Sequence, residues 1–196
     1  LLAYSQGIFP WPIDEQYPLA WFSPDPRGVF FTENLILNRT TEKFLKRSPF
    51  RLDFNTNFES VILNCARTTN RKGQQGTWIT PAIIEAYIEM HRQGLAYSVE
   101  TYLEDKLVGG LYGVCLNGYF SGESMFYSSP NASKFALIKW VERLSQHGIS
   151  WLDTQMVTPV VSSLGGLTIP RSEFLALLQT QIRRPCNYSE LFNLSK

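Results

Sequence analysis

Asn117-Gly118, in the middle of residues 108–126 (VGGLYGVCLNGYFSGESMF), constrains this chain more than any other feature. The dipeptide suits a two-residue type I′ turn, whose central residues both need φ > 0, and β-rich runs flank it on both sides. Residues 108–126 are therefore predicted to form a hairpin, with Leu111, Val114, Cys115, Leu116, Tyr119 and Phe120 available for packing. Counting back from the turn sets Glu123 opposite Tyr112, unless a bulge shifts the register. Gly109, Gly110, Gly113 and Gly122 weaken the strand interiors, and such glycines mark a bulge or a backbone pressed against something close. A carboxylate at Glu123 belongs either on a wet face or in a pocket that supplies it with partners. Both readings stand at this point.

Bulk numbers narrow the class. A chain of 196 residues suffices for one domain, or one domain with a small lobe. With 44% hydrophobic and 14% aromatic residues it is globular and rich in rings. A net charge of +1 excludes a global field toward nucleic acid, so any such binding needs a local basic patch. Cys65, Cys115 and Cys186 are widely spaced and form neither a disulfide framework nor a C-x-x-C metal pattern. No apolar run is long enough to span a bilayer and no secretory signal opens the chain, so a cytoplasmic protein off the membrane is expected; a monomer and no metal are expected alongside. The chain starts at Leu1 inside what reads as a helix tail closed by Gly7, and a native N-terminal segment is expected to precede it.

Taken in order, the chain first presents aromatics on proline-stiffened loops. Pro10 and Pro12 bracket Trp11, and residues 17–26 (YPLAWFSPDP) repeat the pattern before a strand at 28–31. These rings either tack loops to a core or form a preformed wall for a base or an apolar ligand. Arg39, Lys43, Lys46, Arg47 and Arg51 form a local cationic excess around a short helix with Phe44 and Leu45 inward; it reads as a solvated face or as a phosphate-binding patch. A strand at 51–54 and a helix at 57–67 follow, the helix with a stripe of Phe58, Val61, Ile62 and Cys65. Residues 68–76 (TTNRKGQQG) form a polar, glycine-punctuated loop. Thr80 is a good N-cap and Pro81 sits at the first helical position of the next helix, which Gly94 ends. The two histidines, His91 and His147, occupy plain helix positions, which argues against a Ser-His or Cys-His nucleophile. A strand at 96–103, the hairpin, a helix at 132–146 capped by Asn131 or a nearby Ser, and a strand at 149–156 come next. Period two puts Asp153 and Gln155 on one face of that last strand and Leu152 and Thr154 on the other, giving a buried polar pair or a wet edge. A turn at 162–166, a strand at 167–169, a helix at 170–181 and a loosely held tail complete the chain. The order suggests an α/β acyltransferase-like domain at 61–196 behind a smaller lobe at 1–60.

Together these motifs resemble the leucyl/phenylalanyl-tRNA–protein transferases. The match runs in order through YSQGIFPW (4–11), WFSPDPR (21–27), GTWIT (76–80), LVGG (107–110), YGV (112–114), GESMF (122–126), NASK (131–134), Asp153-x-Gln155 and SLG (163–165), and spans nearly the whole chain. The resemblance implies a GNAT-like transferase domain with a small N-terminal domain and no cofactor. It implies transfer of Leu or Phe, and Met less well, from aminoacyl-tRNA to proteins with N-terminal Arg or Lys, tagging them for degradation in bacteria. By position it puts the acyl side chain among Leu111, Phe120, Met125, Leu137, Trp140 and Leu152, and has Tyr4, Trp11 and Trp78 stack on or line the terminal adenosine. It sets Asp153 and Gln155 beside the reacting ester and Glu123 near the incoming basic N-terminus. Seven residues past the acid, where the family pattern has a histidine, this chain has Val160 within Thr158-Pro-Val160.

Such chemistry asks little of the protein. The donor is an activated ester, and an α-amine with a free pKa near 7.7–8.0 is partly neutral at physiological pH. Neither a covalent nucleophile nor a metal is required, because positioning supplies much of the rate. Asp153 could accept the ammonium proton directly, accept it through Gln155, or hold the amine by charge. Two other classes compete. An acetyl-CoA-dependent GNAT enzyme needs a glycine-rich R-x-x-G-x-G turn at a helix start, which PNASK at 130–134 is not. A non-catalytic tRNA-binding module needs the basic patch but neither Asp153 nor Gln155.

Overall fold

A computed structural model describes residues 1–11, 19–68 and 77–194. The polar loop expected at 68–76 and the proline-rich stretch at 12–18 fall almost wholly outside them. Two short strands, β1 (Phe9–Trp11) and β2 (Ala20–Phe22), pair as a small ribbon. The main sheet has seven strands: β3 (Arg27–Phe31), β4 (Phe50–Phe54), β5 (Ala96–Leu103), β6 (Lys106–Leu116), β7 (Tyr119–Tyr127), β8 (Trp151–Gln155) and β9 (Leu167–Ile169). Their spatial order is β4-β5-β6-β7-β8-β3-β9, and every pair is antiparallel except β7 with β8. The architecture is thus α/β, an antiparallel run followed by one parallel crossover through helix α5 (Ala132–Gln146). Because β3 and β4 are strands of this sheet, residues 1–60 are not walled off from the remainder.

Two helical layers cover the sheet. On one face α5 packs with Phe30, Val99, Leu111, Phe120 and Leu152 around the fully buried Trp140. On the other, α3 (Phe58–Arg67) and α4 (Pro81–Arg92) join Tyr4, Tyr112, Val114 and Phe126. Sequence signals explain these helices directly. Phe58, Val61, Ile62 and Cys65 are the buried stripe of α3, and the Thr80 side chain accepts from the Ile83 N–H ahead of Pro81 in α4. For α5 the expected side-chain cap is not made: Asn131 takes a left-handed conformation and leaves the helix start uncapped. The start of α5 instead lies so close to β6 that a Cβ on Gly109 would come within 2.5 Å of Ala132. Only Gly fits there.

The hairpin itself departs from expectation at both ends. Asn117 takes φ 53° but Gly118 does not enter the left-handed region, so the turn is not type I′. Contacts from the chain's end set its geometry: the Gly118 N–H donates to Arg184 O at 3.0 Å, and Gln181 Nε2 donates to Gly118 O at 2.7 Å. The tail is correspondingly not loose. Helix α8 (Tyr188–Leu191) follows α7 (Arg171–Gln181), and Leu191 and Phe192 are fully buried.

Candidate active site

At the centre of the sheet β7 and β8 run parallel but pair only at Ser121 and Asp153. Beyond that pair the strands part, and side chains rather than backbone bonds bridge the gap. A bulge sharpens this. Gly113 pairs with Gly122 and Tyr112 with Ser124, so Glu123 is the extra residue rather than the partner of Tyr112. Gly113 permits it, since a Cβ there would sit 2.3 Å from Ser121 O. The bulge turns Glu123 inward among polar partners, and its side chain is only 8% exposed. Tyr87 Oη donates to its Oε2 at 2.9 Å; Tyr4 Oη and Gln155 Nε2 each donate to Oε1 at 3.0 Å. Ser121 Oγ adds a contact at 3.2 Å. The Tyr4 and Tyr87 oxygens are themselves 2.5 Å apart.

Burial pushes the Glu123 carboxyl up to about 7, against the pull of the hydrogen bonds from Tyr87, Gln155 and Tyr4. The two tyrosines and the carboxyl form three close contacts but supply only two hydroxyl protons, so the triangle is complete only when Glu123 is protonated. Burial also raises both phenols well above their ordinary range, and they remain donors.

Asp153 is built in the opposite way. It is fully buried and sits in a fork from Arg27, with Nε to Oδ1 at 2.9 Å and Nη2 to Oδ2 at 2.6 Å. Tyr119 Oη donates to Oδ2 at 2.5 Å and the Gln155 backbone N–H to Oδ1 at 2.8 Å. Burial alone would lower the Arg27 pKa, but the Asp153 hydrogen bond and charge outweigh it and hold the guanidinium firmly charged. Arg27 also donates to Gly7 O at 2.8 Å and lies between the Phe9 and Phe174 rings, 4.8 and 4.4 Å from their centroids. Gln155 reaches Glu123 from a left-handed conformation, φ 59°, that a non-glycine residue adopts only under constraint.

The structure brings Glu123, Gln155 and Asp153 into one hydrogen-bonded group bridged by Ser121, whose Oγ is 3.4 Å from Asp153 Oδ2. Five of the six acyl-pocket candidates, Leu111, Phe120, Leu137, Trp140 and Leu152, share the core cluster on the α5 face, with Met125 packed at its margin. Phe120 and Leu152 adjoin Ser121 and Asp153 in sequence and point to the opposite face, so the apolar cluster meets the polar group where β7 and β8 part. Trp11 is half-buried and stacked on Trp78 at 5.3 Å and 17°. Tyr4 is not an open stacking surface: it is 4% exposed and committed through its hydroxyl to Glu123. Arg39, Lys43, Lys46 and Arg47 are exposed on α2 (Arg39–Arg47), whereas Arg51 pairs with Asp53 and lies over Tyr102 at 4.7 Å. Val160 stands in a one-turn helix, α6 (Pro159–Ser163), just ahead of and overlapping the turn expected at 162–166; Thr158 caps it by accepting from the Val161 N–H.

Arg27 and Tyr87 have no site role in the sequence reading, and Tyr119 has only a packing one. Arg27 carried one signal, a cation opening an apolar strand straight after Pro26. His91 stacks on Phe58 at 4.3 Å and bonds Ala96 O through Nδ1, and His147 Nδ1 meets Arg143 O. A cavity of about 400 Å³ beside the hairpin turn, lined by Gly118, His147, Arg184 and Cys186 among others, contains none of the site residues. Among the described residues no group of acidic, His and Cys side chains could hold a metal, and no helix is long and apolar enough to cross a membrane.

Residues 1–25 match the leucyl/phenylalanyl-tRNA protein transferase N-terminal domain, and residues 29–179 match the leucyl/phenylalanyl-tRNA protein transferase model. The leucyl/phenylalanyl-tRNA–protein transferase of Pseudoalteromonas atlantica is 42% identical over 96% of this chain and 80% of its own length. That of Christiangramia forsetii is 47% identical over 90% of this chain and 83% of its own length. Among solved structures, a conserved protein of unknown function from Bacteroides thetaiotaomicron aligns at TM-score 0.48 and 10% identity, over 82% of this chain and 56% of that one. A GCN5-related N-acetyltransferase from Kribbella flavida aligns at TM-score 0.41 and 11% identity, over 85% and 60%. The two family-model matches and the identity to full-length relatives show that the chain belongs to the leucyl/phenylalanyl-tRNA–protein transferase family of aminoacyltransferases.

Proposed function

We propose that the protein acts as a cytoplasmic monomer that transfers Leu or Phe, and Met less well, from aminoacyl-tRNA to the α-amino group of proteins beginning with Arg or Lys, marking them for degradation. The observation that carries the mechanism is the difference between the two carboxylates. Glu123 titrates near neutrality and keeps some exposure, while every near side of Asp153 is taken by Arg27, Tyr119 or the Gln155 N–H. Glu123 is therefore assigned as the proton acceptor and Asp153 as the group that fixes Arg27 and Gln155.

In this reading the acceptor's α-ammonium docks at Glu123 and gives it a proton. The neutral amine attacks the ester carbonyl carbon, a C–N bond forms and the C–O bond to the ribose breaks; of the two protons the ammonium nitrogen loses, one ends on the ribose oxygen and the other leaves Glu123 for solvent. A base with a pKa near the operating pH suits both transfers. Gln155 orients the carboxylate, the acyl side chain passes through the gap to Phe120, Leu152 and Trp140, and the terminal adenine stacks on the Trp11–Trp78 pair. The exposed cations of α2 take tRNA phosphates.

Incubation with radiolabelled Leu-, Phe- and Ile-tRNA and an Arg-initiated peptide tests the reading. Leu and Phe are expected to transfer, with Leu ahead of Ile by about 10–200-fold, because one misplaced methyl near the ester is worth about 1–3 kcal/mol. Equal use of Ile and Leu would rule out a shape-selective pocket. For the tRNA, Lys43→Ala with Arg47→Ala is expected to weaken all cognate tRNAs alike and to flatten the salt dependence of binding by about one to two counterions. An unchanged slope of log K against log salt would leave α2 a solvated face.

A further inference from the structure

We infer that the C-terminal segment 188–194 forms the floor of the donor pocket and that Phe192 sets how long a side chain the donor can carry. The inference rests on the pocket proposed above.

The family match ends at residue 179, so nothing in it assigns the segment that follows. That segment is nonetheless locked into the core. Phe192 is 0% exposed and stacks on Trp140 at 5.0 Å and 27°, and on Tyr97 at 4.1 Å and 10°. Trp140 in turn meets the edge of Phe120 at 4.9 Å, and Phe120 borders the gap between β7 and β8. The rings therefore run in series from the reacting position: Phe120 at the mouth, Trp140 behind it, Phe192 at the back.

Two further observations separate this arrangement from ordinary core packing. Trp140 Nε1 is buried without a hydrogen-bond partner, whereas a core indole N–H normally finds one. The indole is therefore held by its ring contacts alone, so its position follows the rings in front of and behind it. The floor is also fastened by polar bonds from outside rather than by apolar contact alone. Arg143 donates to the Leu191 and Glu190 carbonyls and to Asn193 Oδ1, while its guanidinium lies 4.5 Å over Phe54, a ring that itself leans on Trp140. Tyr188 Oη donates to Asn117 O at 2.9 Å, tying the segment to the hairpin turn as well. Such a clamp holds Phe192 in place whether or not the pocket in front of it is filled.

If Phe192 is the floor, shortening it deepens the pocket, and long donors gain over short ones. The test compares the full-length protein with Phe192→Leu and Phe192→Ala, using Leu-, Phe- and Trp-tRNA with one Arg-initiated peptide, and records thermal stability alongside. In both variants the Phe-to-Leu ratio of kcat/KM is expected to rise about tenfold or more, with Trp transfer becoming measurable, since pocket fit discriminates side chains by roughly 10–200-fold. Phe192→Leu keeps most of the packing and covers the case in which Phe192→Ala does not fold. Should all donors fall by the same factor as stability drops, or the ratio stay fixed, Phe192 is core only and the inference is overturned. A wild-type protein that transfers no amino acid from any donor would instead reject the transferase reading, and this inference with it.

Discussion

Glu123→Gln is expected to lower kcat for Leu transfer to an Arg-initiated peptide by about 10²–10⁴-fold, the usual contribution of a positioned base, while aminoacyl-tRNA binding stays unchanged. The substitution keeps the size of the side chain and an acceptor oxygen for one tyrosine, and removes only the site that takes the proton. The pH dependence should move with it. Wild-type kcat/KM is expected to rise as pH passes through about 7, where Glu123 loses its own proton, and that limb should vanish in the variant. Stability gives a second, independent signature. The folded carboxyl holds its proton more tightly than the unfolded one, so its contribution is fully present below about 4.5 and is lost as pH rises through about 7. At about 1.4 kcal/mol per pH unit of difference, wild type should lose roughly 3 kcal/mol relative to the variant between pH 4.5 and 8. Urea unfolding at the two pH values measures it. If wild type and variant keep the same stability difference at both, the proton is not held by Glu123. If kcat is untouched while stability shifts, Glu123 is a packing group and some other group takes the proton.

Much of this site was legible because its signals are local. Thr80-Pro81, the α3 stripe and the strand alternation that aligns Asp153 with Gln155 each depend on neighbours a few residues apart. The bulge at Glu123 was half visible: glycines at 113 and 122 announced a break in the ladder, but the side that would carry the extra residue depends on β8, which the hairpin does not encode. Arg27 and Asp153 stand 126 residues apart, and neither carries a periodicity that names the other. The bond between Tyr4 and Glu123 was hidden for the same reason. An aromatic on a helix end gives no sign that its hydroxyl meets a carboxylate 119 residues away. The tail failed differently. Its α8 is only four residues long, too short for a hydrophobic period, and it is ordered by Arg143 and by the rings of Tyr97 and Trp140 rather than by propensity.

Arg27→Met is expected to destabilise the protein by about 3–5 kcal/mol, the cost of leaving a buried carboxylate without its cation. Methionine retains bulk between the Phe9 and Phe174 rings, so a loss of that size would come from charge rather than from a cavity. Arg27→Lys should not rescue it, because a single ammonium cannot reproduce the fork that reaches both Asp153 oxygens and Gly7 O together. The decisive variant is the double one, Arg27→Met with Asp153→Asn. Neutralising Asp153 removes the uncompensated charge; with the amide oxygen at the Oδ1 position the Gln155 N–H keeps its acceptor, and the Tyr119 hydroxyl, which bonds Oδ2, turns to accept from the amide nitrogen. The double variant should therefore be more stable than Arg27→Met alone, a sign reversal that independent sites never give. Chemical denaturation of the wild type, both single variants and the double completes the cycle. Activity in the double then divides the two roles proposed for the acid. A group that only holds Gln155 in its left-handed turn can be replaced by an amide with a loss of about tenfold or less, whereas a group that takes the substrate's proton cannot, and a loss beyond about 10² would return the base to Asp153. A double variant less stable than Arg27→Met would mean that the two side chains do not act on each other as an ion pair.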